Sequence, residues 1–225
     1  MTHAVSVIIP ALNEAPVIGR AIRSALDAGA GEVVVADGGS EDGTAAAAIE
    51  AGARVVMAPR GRGVQLNAGA AASLGGVLVF LHADGALPRD ATEQIEEALR
   101  DPSVVGGNFR IDFGSSAHAR FLAAFYHVIR QLTVYYGDSA IWCRRDQFEA
   151  VGGFPAYPLM EDLKMVQLLG RRGRIAYLPG PVSASPRRWQ QGGLARTWAS
   201  WLVIQTLYFY HVPPERLARL YRHIR

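Results

Sequence analysis

Val77-Leu78-Val79-Phe80-Leu81-His82-Ala83-Asp84-Gly85 is the stretch around which the chain is organised. Its first five residues are all apolar, the pattern of a central parallel strand buried on both faces. The first polar side chains, His82 and Asp84, arrive as the strand should stop. In open α/β sheets, ligands bind outside the carboxyl ends of the strands. Asp84 therefore stands where a cation or ligand would be placed. Alone, an Asp-Gly after a strand is an ordinary turn. Here two earlier strands end in the same way.

The first of these is the apolar run 5–9, closed by Pro10 and followed by Asn13 and Glu14. Pro16 suits a helix start, where its missing N–H costs nothing. Val17, Ile18, Ala21, Ile22, Ala25 and Leu26 then repeat at helical spacing until Gly29 and Gly31. The second strand, 32–36, leads into Asp37-Gly38-Gly39-Ser40-Glu41-Asp42-Gly43-Thr44. Thr44 is expected to cap an alanine-rich helix over 45–51. A third strand over 55–57 precedes Arg60-Gly61-Arg62-Gly63-Val64-Gln65-Leu66-Asn67 and a helix over 64–73. After the fourth strand, 77–81, a helix is expected from near Pro88 to Leu99. This alternation implies βαβ units and a parallel sheet. Right-handed crossovers put the loops after strands one, two and four on one edge. They gather Asn13, Glu14, Asp37 and Asp84 there.

Beyond residue 103 the pattern changes. Residues 106–113 alternate like a strand, 117–136 read as an aromatic-rich amphipathic helix, and 137–144 as a strand leaving a turn. Short helices are expected over 145–151 and from Met160 to Leu169, with Gly180 and Pro181 breaking the chain. A long apolar helix over 194–211 is separated by Pro213-Pro214 from a basic final helix. The expected architecture is one α/β domain: a mostly parallel, Rossmann-like sheet flanked by helices, with a C-terminal helical elaboration. Residues 1–103 read as a nucleotide platform and 104–225 as an elaboration covering it.

Half of the 225 residues are apolar and 19% are charged, which marks a folded globular chain. A net charge of +3 gives no reason to invoke nucleic acid. All of the 23 basic residues except Lys164 are arginines, which suit bidentate phosphate contacts, although a compositional bias explains most of them. Cys143 is the only cysteine, so no intrachain disulfide framework exists and a reducing, cytoplasmic setting is expected. The segment 197–212 is almost uncharged and holds Trp198, Trp201, Tyr208, Phe209 and Tyr210. It falls short of the roughly 20 residues of a spanning helix. A buried helix and a peripheral contact with the inner membrane face are the two readings.

The ordered series of Pro10-Ala11 to Glu14, residues 37–44, Asn67-Ala68-Gly69, His82-Ala83-Asp84 and Glu161-Asp162 resembles the signature of family 2 glycosyltransferases, which have the GT-A fold. The form Leu81-His82-Ala83-Asp84 is most similar to a small bacterial subfamily. The resemblance spans nearly the whole chain. It implies an inverting transfer of a sugar from a nucleoside diphosphate to a hydroxyl acceptor, assisted by Mn²⁺ or Mg²⁺. The acceptor is unnamed by the sequence; a lipid-linked one is among the readings.

The resemblance also implies roles. Asp37 would accept from the base, with Pro10, Ala11 and Glu14 flanking base and ribose; an Asx turn is the alternative for Asp37. Arg62, Gln65 and Asn67 would meet the diphosphate at a helix N-terminus. Asp84 would hold the metal, since one or two carboxylates plus phosphates suffice for such ions. His82 replaces the first acid of the family's Asp-x-Asp, leaving ribose or metal as its partner, with Ala83 between them. Glu161-Asp162 matches the acidic pair that supplies the base, Asp162 being the base itself and Glu161 positioning. Asp162 is expected across the cleft from Asp84, facing the sugar. The alternative is a pair of first-turn acids favouring a helix dipole. Asp138, Arg188 and Trp189 are acceptor candidates. Two rivals from other classes stand beside this reading: a noncatalytic nucleotide-sugar or lipid-surface binding module, and a sugar-phosphate nucleotidyltransferase. The second places its basic Gly-rich loop after the first strand, whereas here that loop follows the third.

Overall fold

In a computed structural model of the chain, which describes residues 4–112, 137–183 and 194–221, the apolar runs form strands and the periodic segments between them form helices. Strand β1 (Val5–Ala11) leads to α1 (Ala15–Asp27), β2 (Glu32–Asp37), α2 (Thr44–Glu50), β3 (Arg54–Met57), α3 (Arg62–Ala72), β4 (Val77–Phe80) and α4 (Ala91–Leu99). Then come β5 (Val104–Asp112), a 3-10 turn (Gly137–Ser139), β6 (Ile141–Arg144), α5 (Arg145–Ala150), α6 (Glu161–Gly170), β7 (Arg174–Ser183), α7 (Leu194–Phe209) and α8 (Pro214–Leu220). One sheet holds all seven strands in the order β3-β2-β1-β4-β6-β5-β7. β1 runs parallel to β2 and β4, and β2 to β3. β6 is antiparallel to both its neighbours, and β7 parallel to β5. The expected mostly parallel α/β sheet is thus the observed one.

The uninterrupted apolar runs follow from burial on both faces, because successive side chains point to opposite sides. Val5, Val7, Ile9, Val77 and Val79 share one core with Ile18 and Ile22 of α1 and Ile95 of α4. Ile8, Leu78 and Phe80 point the other way, into a core with Leu66 of α3 and Met165 and Val166 of α6. Helix α3 lies so close to β1 that a Cβ at Gly69 would fall 2.5 Å from Ile8 Cγ2. A satellite cluster of Met160, Leu163, Ile204 and Leu217 joins α6, α7 and α8. Leu202, Val203 and Phe209 of α7 and Tyr210 just beyond it are exposed while Ile204 is buried, so the described part of the helix packs through one side. No described helix is long and apolar enough to cross a membrane.

The register positions the site. Ala11 and Asp37, the last residues of β1 and β2, lie side by side. Leu81 N–H still donates to Ile8 O at 3.0 Å, so the 82–85 turn leaves from the same edge. Antiparallel pairing of Phe80 with Ile141 brings the Gly137–Ser139 turn alongside it.

Several expectations are corrected. Helix α4 begins at Ala91 rather than near Pro88, because Ala91 N–H closes a turn onto Pro88 O. Gly43, in the left-handed region, precedes α2, and Thr44 is its first residue, with no side-chain cap. Gly180 and Pro181 do not break the chain: β7 runs through them, and its pairing with β5 slips between Phe109 and Arg110. The slip absorbs Pro179 and Gly180, whose polar groups bond to Arg110 and Gln94. The strand leaving a turn read over 137–144 is observed as the 3-10 turn and β6. The expected helix over 117–136 lies outside the described residues.

Candidate functional site

The loops after β1 and β2 are laced together. Asn13 adopts φ 55°, a conformation Asn tolerates. Its N–H donates to Ser40 Oγ at 2.9 Å and its Oδ1 accepts from Glu41 N–H at 2.9 Å. Glu14 N–H donates to Thr44 Oγ1 at 2.8 Å, and Thr44 in turn binds Asp42. That lacing is why Thr44 is buried and does not cap its helix. Asp37 is buried, and its carboxylate accepts from both the N–H and the hydroxyl of Ser40. The Asx-turn reading of Asp37 is the observed geometry. Pro10 and Ala11 form the strand end beside it.

The loop before α3 separates into three roles. Gln65 is buried and donates to the strand-end carbonyls of Ala11 and Ala36, both at 2.9 Å. It staples β1 to β2. Asn67 exchanges two bonds with the backbone of Phe154, at 2.8 and 2.9 Å, so its polar groups are likewise engaged within the protein. Arg62 alone of the three faces the cavity. Sequence reasoning gave no role to Arg60, yet its guanidinium spans the carbonyls of Gly38 and Gly39 at 3.2 and 3.4 Å. It adds positive charge to the second loop; the Arg-Gly-Arg run was the available signal.

At the other corner, Met160 takes φ 68° and opens α6, so that the two acids directly follow a sharp turn. Glu161 is 1% exposed and Asp162 6%. Arg62 Nε donates to Glu161 Oε1, and its NH2 nitrogen lies 3.3 Å from Asp162 Oδ2. The NH1 nitrogen is 3.3 Å from His82 Nε2, and His82 Nδ1 is 3.2 Å from Asp138 Oδ1. His82 thus lies between the arginine and Asp138, in contact with both. Asp162 Oδ2 also accepts from Gly137 N–H at 2.7 Å, and Oδ1 from Leu163 N–H at 2.7 Å. Asp162 therefore serves its own helix with one oxygen and the cavity with the other. A Cβ on Gly137 would sit 2.8 Å from His82 Nε2 and 3.2 Å from Asp162 Oδ2, so a larger residue there would push on both side chains. A small cavity is walled by Arg62, His82 and Asp162 and floored by Leu66, Phe80 and Phe154.

Burial pushes the Glu161 carboxyl above its ordinary range, with Asp162 adding to the effect and Arg62 opposing it. For Arg62, the cost of burial is outweighed by Glu161 and Asp162, which hold the guanidinium charged well beyond its usual range. Asp84 is half-buried, and among the described residues it makes no hydrogen bond or ion pair. Its turn is held by Gly85 N–H to His82 O at 3.0 Å and by a two-bond bridge between Ala86 and Ser183. Ala83 is buried beneath it. Among the described residues no cluster of three or more His, Cys, Asp or Glu could hold a metal unaided. Arg188 and Trp189 lie outside the described residues.

The model of a protein family described as glycosyl transferase family 2 matches residues 6–154. No curated protein sequence matches the chain. Among solved structures, the chain is similar to the mannosyltransferase PcManGT from Pyrobaculum calidifontis in complex with GDP-Man and Mn²⁺. That likeness has a TM-score of 0.67 and 22% identity, covering 90% of this chain and 65% of that one. It is also similar to glucosyl-3-phosphoglycerate synthase from Mycobacterium tuberculosis in complex with Mn²⁺, UDP and glucosyl-3-phosphoglycerate. There the TM-score is 0.64 with 23% identity, covering 89% and 79%. The S. aureus TarS 1-349 structure gives 0.60 with 18% identity, covering 82% and 61%. The chain spans less than two thirds of the mannosyltransferase and of the TarS structure.

Proposed function

The chain belongs to glycosyl transferase family 2, and from that premise we propose that it transfers a sugar from a nucleoside diphosphate donor to a hydroxyl acceptor with inversion. The observation that carries the reading is one sheet edge on which a strand-end carboxylate with no partner among the described residues, Asp84, follows two residues after His82, which lines the same cavity as Asp162. The neighbours crystallised with GDP-Man or UDP and Mn²⁺ support it.

In this reading the base and ribose lie over the laced loops of Pro10, Ala11, Glu14 and the Asp37–Ser40 turn, and Arg62 meets the diphosphate. The donor set at the edge fits Mn²⁺ or Mg²⁺ held by Asp84 together with phosphate oxygens and water, since such ions need few protein carboxylates. When bound, the ion would offset charge on the leaving diphosphate. Asp162 takes the proton of the acceptor hydroxyl on its cavity-facing oxygen. Its carboxylate approaches from the face opposite the leaving group, as inversion requires. The Leu81-His82-Ala83-Asp84 form supports membership of a small bacterial subfamily in this reading. The exposed apolar stripe of α7 favours a lipid-linked acceptor met at a membrane surface.

The test is calorimetric titration with UDP, GDP and dTDP, with and without Mn²⁺, followed by transfer from the matching sugar. Metal-dependent binding of at least one nucleotide is expected, and Asp84→Ala should abolish the metal dependence while the fold survives. Binding with unchanged Mn²⁺ dependence in Asp84→Ala would remove Asp84 from the site. Failure of every nucleotide to bind would overturn the reading.

A further inference from the structure

We propose that Arg62 is a latch on the acid pair, released by the donor's diphosphate, so that Asp162 is freed to accept a proton only when a donor is in place. The inference rests on the reading of Asp162 as base and of Arg62 as the diphosphate contact.

The argument is one of lone pairs and mobility. A carboxylate oxygen has two acceptor sites. On Asp162 Oδ2, the oxygen at the cavity, Gly137 N–H occupies one at 2.7 Å and the Arg62 guanidinium, at 3.3 Å, the other. No site on that oxygen is left for a substrate hydroxyl while Arg62 stays. The acids are the fixed partners. Glu161 is 1% exposed, and Asp162 is pinned by Leu163 and Gly137. Arg62 is the movable one: its side chain is 31% exposed, and it stands on the first turn of α3 between Gly61 and Gly63. A diphosphate offers a guanidinium a bidentate match at least as good as two separate carboxylates. Taking Arg62 leaves Glu161 buried without its cation, and donor binding must overcome that cost. The acid pair therefore competes with the donor for one arginine. Glu161 is then a positioning residue that tunes donor affinity, not a second base.

The competition gives an inverted signature. Glu161→Gln weakens the hold on Arg62 and should tighten the Kd of the bound nucleotide with Mn²⁺, by about fivefold for a partly exposed pair. The gain should vanish in an Arg62→Gln background, which itself binds the nucleotide more weakly. A merely structural role for Glu161 predicts equal or weaker binding, and that result would overturn the latch while leaving the donor reading intact. Failure of the wild type to bind UDP, GDP or dTDP would overturn both. Should Glu161→Gln not fold, the wild type suffices. The Arg62 Nε–Hε resonance, assigned by its loss in Arg62→Lys, should move on saturation with the bound nucleotide and Mg²⁺. An unmoved resonance would reject the latch.

Discussion

Two corners of the same sheet edge are built on opposite plans. Around the ends of β1 and β2, polar side chains are spent on backbone: Asn13, Asp37, Thr44 and Gln65 each accept from or donate to main-chain groups of a neighbouring loop or strand. Around the end of β4, charged side chains are spent on one another: Arg62, Glu161, Asp162, His82 and Asp138 form one connected group. The first plan fixes a shape. The second holds groups that can change partners when a charged ligand arrives. The difference teaches where the motif is scaffold and where it is chemistry, even though both corners carry motif residues.

The largest effect should come from the second corner. Asp162→Asn keeps the size of the side chain and its acceptor oxygen, but removes the base. Turnover should fall by at least about 10²-fold while donor Kd stays equal or tightens, because the lost charge removes the base and also loosens the hold on Arg62. Near-normal transfer by this variant would move the base elsewhere. Stability should fall by about 1–3 kcal/mol, because the amide oxygen can accept from Leu163 or from Gly137 but not from both, and one N–H loses its acceptor.

The first corner should respond in the reverse sense. Gln65→Leu leaves the carbonyls of Ala11 and Ala36 without their side-chain donor in a buried place. Ala11 O keeps the Gly38 N–H at 2.9 Å, so the change removes two buried hydrogen bonds at about 0.5–1.5 kcal/mol each, and chemical denaturation should show a loss of about 1–3 kcal/mol. Nucleotide affinity should weaken only as far as the strand ends loosen. A variant as stable as wild type but unable to bind nucleotide would mean that Gln65 belongs to the chemistry after all. Asn67→Ala should cost less, about 1–2 kcal/mol, because its two bonds to Phe154 sit where water can partly replace them.

These contrasts also mark what could be read in advance. The strands were legible because burial on both faces leaves runs such as 77–81 with no polar residue, and the shared edge followed from the handedness of the crossovers. Asp84 was legible as a strand-end acid. The partition of Arg62, Gln65 and Asn67 was not. All three are polar residues on one helix turn, and only the neighbouring strand ends and the Phe154 backbone decide which are consumed. The pairing of Arg62 with Glu161 joins residues 99 apart in sequence, and no local pattern carries it. β7 was hidden because Gly180 and Pro181 signal a break, whereas the sheet absorbs Pro179 and Gly180 in a register slip. Gly137 carried a weak signal only, since the pressure against a larger residue comes from His82 and Asp162 packing against it.

The smallest expected effect sharpens the comparison by supplying an arginine–carboxylate pair of the same chemistry in water. Arg174 and Asp101 meet at 2.8 Å on the exposed start of β7. There the Ser103 hydroxyl and N–H, followed by Arg174, hold the Asp101 carboxyl down at about 2, against an ordinary 3.8. Glu161 also faces an arginine and is pushed the other way, because burial outweighs the partner. The signs differ accordingly. Asp101 has a depressed folded value, so its contribution is present above 3.8 and is lost as pH falls from there through about 2. Glu161 has a raised folded value, so what its protonated form contributes is present below the ordinary carboxylate range and is lost as pH rises through the folded value. Asp101→Asn should therefore lower the melting temperature at pH 7 by a small amount, as expected for an exposed pair, and meet the wild type by about pH 2. It should flatten the wild-type decline in melting temperature between pH 4 and pH 2. An unchanged acid limb in Asp101→Asn would show that Asp101 is not held down in the folded state. The contrast with Glu161 would then have to rest on burial at the β4 corner alone.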